Sequence, residues 1–422
     1  MEQVAVDDPS LKDRGCKSRC MSTLSDLIDL GLVLLDVVLD VYTVVSLYQE
    51  EAYVFMGLLV FILLGSSLLV NSFSLLWYLD GRRESKTESL VKNLDGRDTR
   101  KENHLKNLCS LKILHVFQLG VFLRYASVLR ISICGFCCEK LYTTDEVRSL
   151  KNDLCILRLI ETFSESAPQL VLMLTIFIMR EDLGPITILK ALLSALAISA
   201  SVTTYHRSMC SFAPDKAKQG WGFSVLYFLW NLLLIGSRVM AVALFASAFP
   251  RYIAAHFLCS WMVLFFFAWR CKTKFMNSDG KEWFDQATVG LIWYFNWFNM
   301  VPGKSRWRSI VYHTWMVLDI GILCGFWVWQ IKKSSPYFDI PLDPYFVLGV
   351  IMSLYFAGLG LKVIFMYCHQ QTKTDERLEG TTNENEVNSA FRCVGHEESF
   401  GPPEQVIRVN KRMKILADNF YS

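Results

Sequence analysis

The sequence predicts an all-α polytopic membrane protein with eight transmembrane helices and two re-entrant half-membrane helical hairpins. Composition, the length of the apolar runs and the placement of basic residues point to it. Of 422 residues, 52% are hydrophobic, 14% aromatic and 20% charged, and the apolar residues gather in blocks, whereas soluble domains carry about 25% charge. A bilayer core about 30 Å thick needs roughly 20 consecutive apolar residues per helix. Runs near 24–48, 52–79, 154–179, 185–205, 222–247, 250–270, 307–331 and 343–369 meet that need.

Two further runs, about 105–138 and 284–301, are apolar but broken. Lys112, His115, Gln118-Leu119-Gly120 and Arg124 cut the first; Asn296, Asn299 and Pro302-Gly303 end the second. If both dip in and return to the side they entered, eight crossings remain. One side then collects Lys12, Arg14, Lys17 and Arg19, the loop from Arg82 to Lys101, and Lys216, Lys272, Lys304 and Arg306. The other keeps only Arg180, Arg251, Lys332 and Lys333. Basic residues mark the cytoplasmic side, so both termini are expected there. Re-entrant backbone needs protein or water around it, which implies a polar interior.

The chain divides accordingly. Residues 1–23 form a cytoplasmic N-terminus without a cleavable signal, and 24–369 form the bundle. Residues 370–405 are polar and expected to be disordered. In 406–422, Val406, Val409, Met413, Leu416 and Phe420 share a face beside Arg408, Lys411, Arg412 and Lys414, the pattern of an amphipathic helix. Net charge is +3 and the 13 cysteines show neither disulfide nor zinc spacing.

Charge within a span costs at least about 2.5–3.5 kcal/mol, so each such residue needs a reason. The first run carries Asp26, Asp29, Asp36 and Asp40; at about 100° per residue the last three share a stripe, with Asp26 beside it. Arg158, Glu161, Glu165 and Gln169 recur on one face of the 154–179 run. Arg238 lies mid-span with Asn231 on its face, Asp319 is mid-span in 307–331, and Arg124 belongs to the first hairpin. Lys362 can snorkel to the cytoplasmic surface. Buried ion bridges would explain single pairs; carboxylates along two helices read better as a pathway for a polar group. Alternating arginines and carboxylates suit a lipid headgroup, and mostly carboxylates suit a cation. No Gly-x-Ser-x-Gly, His-Glu-x-x-His, calcium loop or complete phosphate-binding loop occurs, so no enzyme, cofactor, metal site or nucleic-acid partner is expected.

The run Leu157-Arg158-Leu159-Ile160-Glu161-Thr162-Phe163-Ser164-Glu165-Ser166-Ala167-Pro168-Gln169-Leu170 resembles the hallmark of the XK-related family of phospholipid scramblases. Leu35-Asp36-Val37-Val38-Leu39-Asp40, Tyr205-His206-Arg207, and Tyr227 to Leu234 followed by Arg238 are similar to that family's blocks. The resemblance implies eight spans plus two half-membrane helices. It also implies ATP-independent movement of phospholipids between plasma-membrane leaflets, exposing phosphatidylserine on dying cells as an engulfment signal. It implies a single-span immunoglobulin-type partner, basigin or neuroplastin. The family's hydrophilic path maps onto Asp26, Asp36, Asp40, Arg124, Glu161, Glu165, Arg238 and Asp319. Two departures stand out: Thr204 replaces an acid before the Tyr-His pair, and the tail lacks the Asp-x-x-Asp that caspases cut in apoptotic members. Asp375 is the candidate cleavage position. A secondary transporter or ion pathway, and a non-catalytic scaffold, are the alternative readings.

Overall fold

The computed structural model describes residues 9–92, 113–137, 144–180, 185–210, 221–271, 282–298, 305–334 and 343–391. Among them the protein is all helical. The helices are α1 (Pro9–Gln49), α2 (Tyr53–Lys92), α3 (Gly120–Cys137), α4 (Thr144–Glu161), a π-helical segment (Thr162–Ser166), α5 (Ala167–Arg180), α6 (Pro185–Cys210), α7 (Trp221–Ala248), α8 (Ile253–Arg270), α9 (Glu282–Phe295), α10 (Ser305–Ser334) and α11 (Pro344–Phe391).

Seven helices among the described residues are long and apolar enough to cross a membrane: Leu30–Gln49, Tyr53–Leu79, Leu150–Arg180, Trp221–Ala248, Ile253–Arg270, Arg306–Lys333 and Pro344–Cys368. Each coincides with an expected run. The remaining run, 185–205, lies within α6. Large apolar side chains stay exposed along the spans, Val38, Phe61, Leu68 and Val363 among them. In water such a surface would aggregate; in a bilayer it is the lipid face. Exposed Trp221, Trp269, Trp283 and Trp307 sit at helix ends, where indole rings favour the membrane interface.

The chain forms two compact units, residues 1–165 and 166–422. In the first, α1 packs on α2 and α3, and α4 on α2 and α3. Its core joins Val33, Tyr125, Val128 and Leu154. α1 ends where Glu51 turns to φ 56, and the Ala52 and Glu51 amides bond the Leu47 and Tyr48 carbonyls at 2.9 and 3.1 Å. This Schellman arrangement satisfies carbonyls that a helix end orphans. The same device builds an elbow before α3. Gln118 takes φ 62, and the Leu119 and Gln118 amides bond Leu114 and His115 at 2.9 and 3.0 Å.

α2 holds that elbow. Asn71 Oδ1 accepts from the Gly120 amide at 3.0 Å, Asn71 Nδ2 donates to the Gln118 carbonyl at 3.3 Å, and Ser67 donates to Gln118 Oε1 at 2.6 Å. A Cβ on Gly120 would sit 2.3 Å from His115 Cδ2 and 2.8 Å from Asn71 Oδ1, so any side chain here displaces the buried groups that hold the elbow.

In the second unit α7 is the hub, packed by α5, α6, α10 and α11. It is also the most enclosed span, with 67% of its apolar window buried. α11 approaches it at Gly358, where a Cβ would meet the Leu234 side chain at 3.0 Å. α9 packs mainly on α8.

Backbone helix continues to Phe391, across the first part of the 370–405 segment whose composition predicts disorder. Gln, Lys, Arg and Glu are strong helix formers, and a helix already nucleated by a span extends without a new nucleus. Asp375 therefore lies on α11. The amphipathic 406–422 segment falls outside the described residues.

Candidate functional site

In the first unit Asp36 and Asp40 of one predicted stripe lie within electrostatic reach of Arg158, Glu161 and Glu165 of the other. Asp36 is exposed on α1 and Asp40 buried; Arg158 and Glu161 on α4 and Glu165 on the π-helical segment are half-buried. Arg158 interacts electrostatically with Asp36 and with Glu161. Glu161 also interacts with Asp36 and Asp40, and Glu165 with Glu161, Asp40 and Asp36. The group runs from a lipid-exposed carboxylate to a buried one. Asp26 and Asp29 lie on α1, but their side chains are outside the described residues.

The π-helical segment sets the last carboxylate of this face. Pro168 has no N–H to pair with the Ser164 carbonyl four residues back, and its ring crowds that carbonyl. The helix answers by widening to i→i+5 bonding over Thr162–Ser166. Hydroxyls cover carbonyls in this stretch: Thr162 donates to Arg158 O at 2.7 Å and Ser164 to Ile160 O at 2.8 Å. α2 supplies Ser66, whose Oγ lies 2.7 Å from Ser164 Oγ. Sequence reasoning missed Ser66 and Ser164, since a serine in an apolar helix carries no charge to flag it.

Arg124 is engaged elsewhere in this unit. Its Nη1 pairs with Asp153 at 3.2 Å. Its Nε donates to Ser74 Oγ at 2.8 Å and its Nη2 to the Ser74 carbonyl at 2.9 Å. The guanidinium also lies 5.9 Å from the Trp77 ring centre. Neither Asp153 nor Ser74 was singled out from sequence, although Asp153 stands five residues before Arg158 on the same helix.

The second unit holds the other predicted residues. Gln169 is half-buried on α5. Arg238 is 1% exposed and pairs with Asp319 Oδ2 at 2.5 Å, two expected intramembrane charges that meet each other. Its Nε donates to the Tyr294 carbonyl at 3.1 Å, and it lies 4.7 Å from the Tyr294 ring centre. His256 Nε2 contacts Asp319 Oδ1 at 3.2 Å, and Tyr294 Oη contacts His256 Nδ1 at 3.3 Å. Asn231 donates to the Tyr227 carbonyl at 2.7 Å and accepts from Asn296 at 2.7 Å.

These contacts close the end of α9. The last four carbonyls of a helix lack intrahelical partners; Arg238 takes that of Tyr294, and the Tyr312 hydroxyl takes that of Trp293 at 2.5 Å. Trp293 Nε1 donates to the Phe298 carbonyl at 3.0 Å, fixing the chain that follows. Arg238 thus serves as helix cap and counter-ion together. Lys362, expected to snorkel outward, turns inward: its Nζ lies 2.7 Å from His313 Nε2 and 3.0 Å from Ser309 Oγ. His313 Nδ1 in turn contacts Tyr355 Oη at 3.0 Å. Among the described residues no cluster of three or more His, Cys, Asp or Glu could hold a metal ion.

Comparison with known proteins agrees with this architecture. Residues 24–370 match the family model described as XK-related protein. The chain is 36% identical over 391 residues to XK-related protein 8 of Tetraodon nigroviridis, covering 91% of this chain and 92% of the relative. It is 38% identical over 336 residues to XK-related protein 8 of Gasterosteus aculeatus, covering 78% and 79%. It is 34% identical over 318 residues to XK-related protein 8 of Pan troglodytes, covering 74% and 75%. With the match spanning the bundle and both charged stripes, the chain belongs to the XK-related family.

Proposed function

We propose that the protein is a phospholipid scramblase. It moves phospholipids in both directions between plasma-membrane leaflets without ATP and exposes phosphatidylserine on apoptotic cells. The observation that carries this reading is the electrostatically linked pair of charged stripes, which begins at exposed Asp36 and passes Arg158, Glu161, Asp40 and Glu165. Headgroups slide along this face while acyl chains stay in lipid. Ammonium groups meet the carboxylates, and the phosphate meets Arg158. The protein performs no covalent chemistry and takes no cofactor. Both termini are cytoplasmic, α6 completes eight spans, and the segments about 105–138 and 284–301 re-enter. The capped elbow at Gln118 supports the first of these. α9 supports the second: at 14 residues and about 1.5 Å per residue it is some 21 Å long, short of a bilayer core. A single-span immunoglobulin-type glycoprotein, basigin or neuroplastin, escorts it. Tail processing at Asp375 releases activity.

The test is reconstitution of the purified chain in liposomes carrying a fluorescent phospholipid whose outer-leaflet copies are chemically bleached. Bleaching beyond half of the label, lost on neutralising Glu161 and Asp40, supports the proposal. Bleaching equal to that of empty vesicles, with the tail intact and removed, overturns it. A cation pathway is the second reading, favoured by the excess of carboxylates over Arg158 on this face. Cation flux without lipid movement in the same vesicles would establish it instead.

A further inference from the structure

We propose that the seam between α10 and α11 is a phosphate-binding site, where Lys362, Ser309 and Arg306 hold the anionic oxygens of a phosphate group. The site uses no residue of the polar face described above, so it does not depend on the scramblase reading.

Lys362 brings a charge that its surroundings do not answer. It is half-buried on α11, with its Nζ 5.8 Å from the Trp230 ring centre on α7. An ammonium held away from water needs a counter-charge. α6 and α7 contain no acidic residue, and the single acid of α10, Asp319, pairs with Arg238. Along α11 the first acid is Asp375. It stands thirteen residues beyond Lys362, about 20 Å farther along the helix axis. Among the described residues no carboxylate lies within ion-pair distance of Lys362.

The groups that Lys362 does bond are neutral. Its Nζ donates to Ser309 Oγ at 3.0 Å and lies 2.7 Å from His313 Nε2. An ammonium has three hydrogens and no lone pair, so His313 Nε2 accepts. The imidazole hydrogen then sits on Nδ1 and goes to Tyr355 Oη, 3.0 Å away. His313 and Tyr355 are buried and hold the lysine head in place. One ammonium hydrogen remains, and so does the Ser309 O–H, whose oxygen accepts from Lys362. A single phosphate oxygen can take both. Arg306 stands three residues before Ser309, about 4.5 Å along α10. It is exposed and gives one N–H to the neutral Gln370 side chain of α11 at 3.2 Å. Its planar fork keeps further donors for phosphate oxygens. Both contacts cross the same two helices, so the seam runs from exposed Arg306 inward to half-buried Lys362. A carboxylate offers two oxygens in one plane. A phosphate offers its oxygens tetrahedrally, one for Lys362 with Ser309 and another for Arg306, together with the missing negative charge. A membrane lipid or free phosphate presents this group.

The test is thermal unfolding of the delipidated full-length protein in detergent, followed by tryptophan fluorescence. Dioctanoyl phosphatidic acid supplies the phosphate on a lipid, dioctanoylglycerol the same chains without it, and inorganic phosphate the group without the lipid. Phosphatidic acid should raise the wild-type unfolding temperature saturably, and dioctanoylglycerol should not. Lys362→Met should weaken the apparent affinity at least about tenfold, the loss expected for a hydrogen bond to a charged group. Should Lys362→Met fail to fold, Ser309→Ala keeps the charge and removes one donor, and its affinity should fall severalfold. A rise with inorganic phosphate equal to that with phosphatidic acid upholds the site with free phosphate as its occupant. A rise with phosphatidic acid alone upholds it with a lipid. The proposal is overturned if neither raises the temperature, or if dioctanoylglycerol raises it as far as phosphatidic acid. Wild-type affinity in Lys362→Met, or in Ser309→Ala where that variant is used, overturns it too. Lipid movement enters none of these readouts, so the outcome is separate from that of the scramblase reading.

Discussion

Replacing Arg238 by Met should destabilise the second unit by an amount that its contacts set. Arg238 is 1% exposed, so neither Asp319 nor the Tyr294 carbonyl finds water when the guanidinium goes. Removing one partner of a buried ion pair costs about 3–5 kcal/mol, because the remaining charge stays buried and uncompensated. His256 remains 3.2 Å from Asp319, and this surviving contact places the expected loss near the lower end. The double variant Arg238→Met with Asp319→Leu removes both charges and should recover part of the stability. It would still lack about 1–3 kcal/mol, the cost of a buried acceptor left unsatisfied, because the Tyr294 carbonyl loses its cap. Intrinsic tryptophan fluorescence during thermal unfolding in nanodiscs, at a fixed scan rate, reads the order directly. Wild type should unfold at the highest temperature, the double variant next and Arg238→Met at the lowest. A double variant no more stable than the single one would refute the counter-ion role.

Three further outcomes are expected. Gly120→Ala, which sets a methyl 2.3 Å from His115 Cδ2, should cost at least the roughly 1–3 kcal/mol typical of overpacking. Size-exclusion profiles of detergent-extracted protein should show a lower monodisperse fraction than Val121→Ala. Arg124→Lys keeps the charge but cannot serve Asp153 and both Ser74 oxygens in one planar fork. It should lose about 1–3 kcal/mol for the charged hydrogen bonds removed, measurable as a lower unfolding temperature. Glu161→Lys should leave yield and unfolding temperature close to wild type while slowing lipid movement at least tenfold in the bleaching assay. Unchanged flipping would remove Glu161 from the pathway.

The spans were legible because a bilayer demands about 20 apolar residues in a row, and this requirement is written in composition alone. The stripes were legible because Asp36 and Asp40, and Arg158, Glu161 and Glu165, repeat at helical spacing within one segment. Partners distant in sequence were not. Nothing local to α7 says that Arg238 meets Asp319, or that it caps α9 through Tyr294. Ser66, Ser74 and Asn71 carry no charge to mark them within an apolar helix, although each bonds another segment. Pro168 was visible, yet one proline inside a helical pattern predicts a kink as readily as the widened turn found at Thr162–Ser166. For Lys362, chain length suggested an outward reach; His313 and Ser309 on α10 offered nearer acceptors.

The Arg238–Asp319 pair also sets a timetable for the protein's synthesis. α7 enters the membrane carrying its arginine before α10, with the answering carboxylate, has been made. At about 5–20 residues per second, the roughly 80 residues between them take several seconds to emerge. Throughout that interval the high mean hydropathy of 1.8 across Trp221–Ala248 must keep α7 in place alone, against a cost of at least about 2.5 kcal/mol for the unpaired charge. A nascent chain stalled before Asp319 thus exposes a basic span in search of a carboxylate, the state in which quality control would find it.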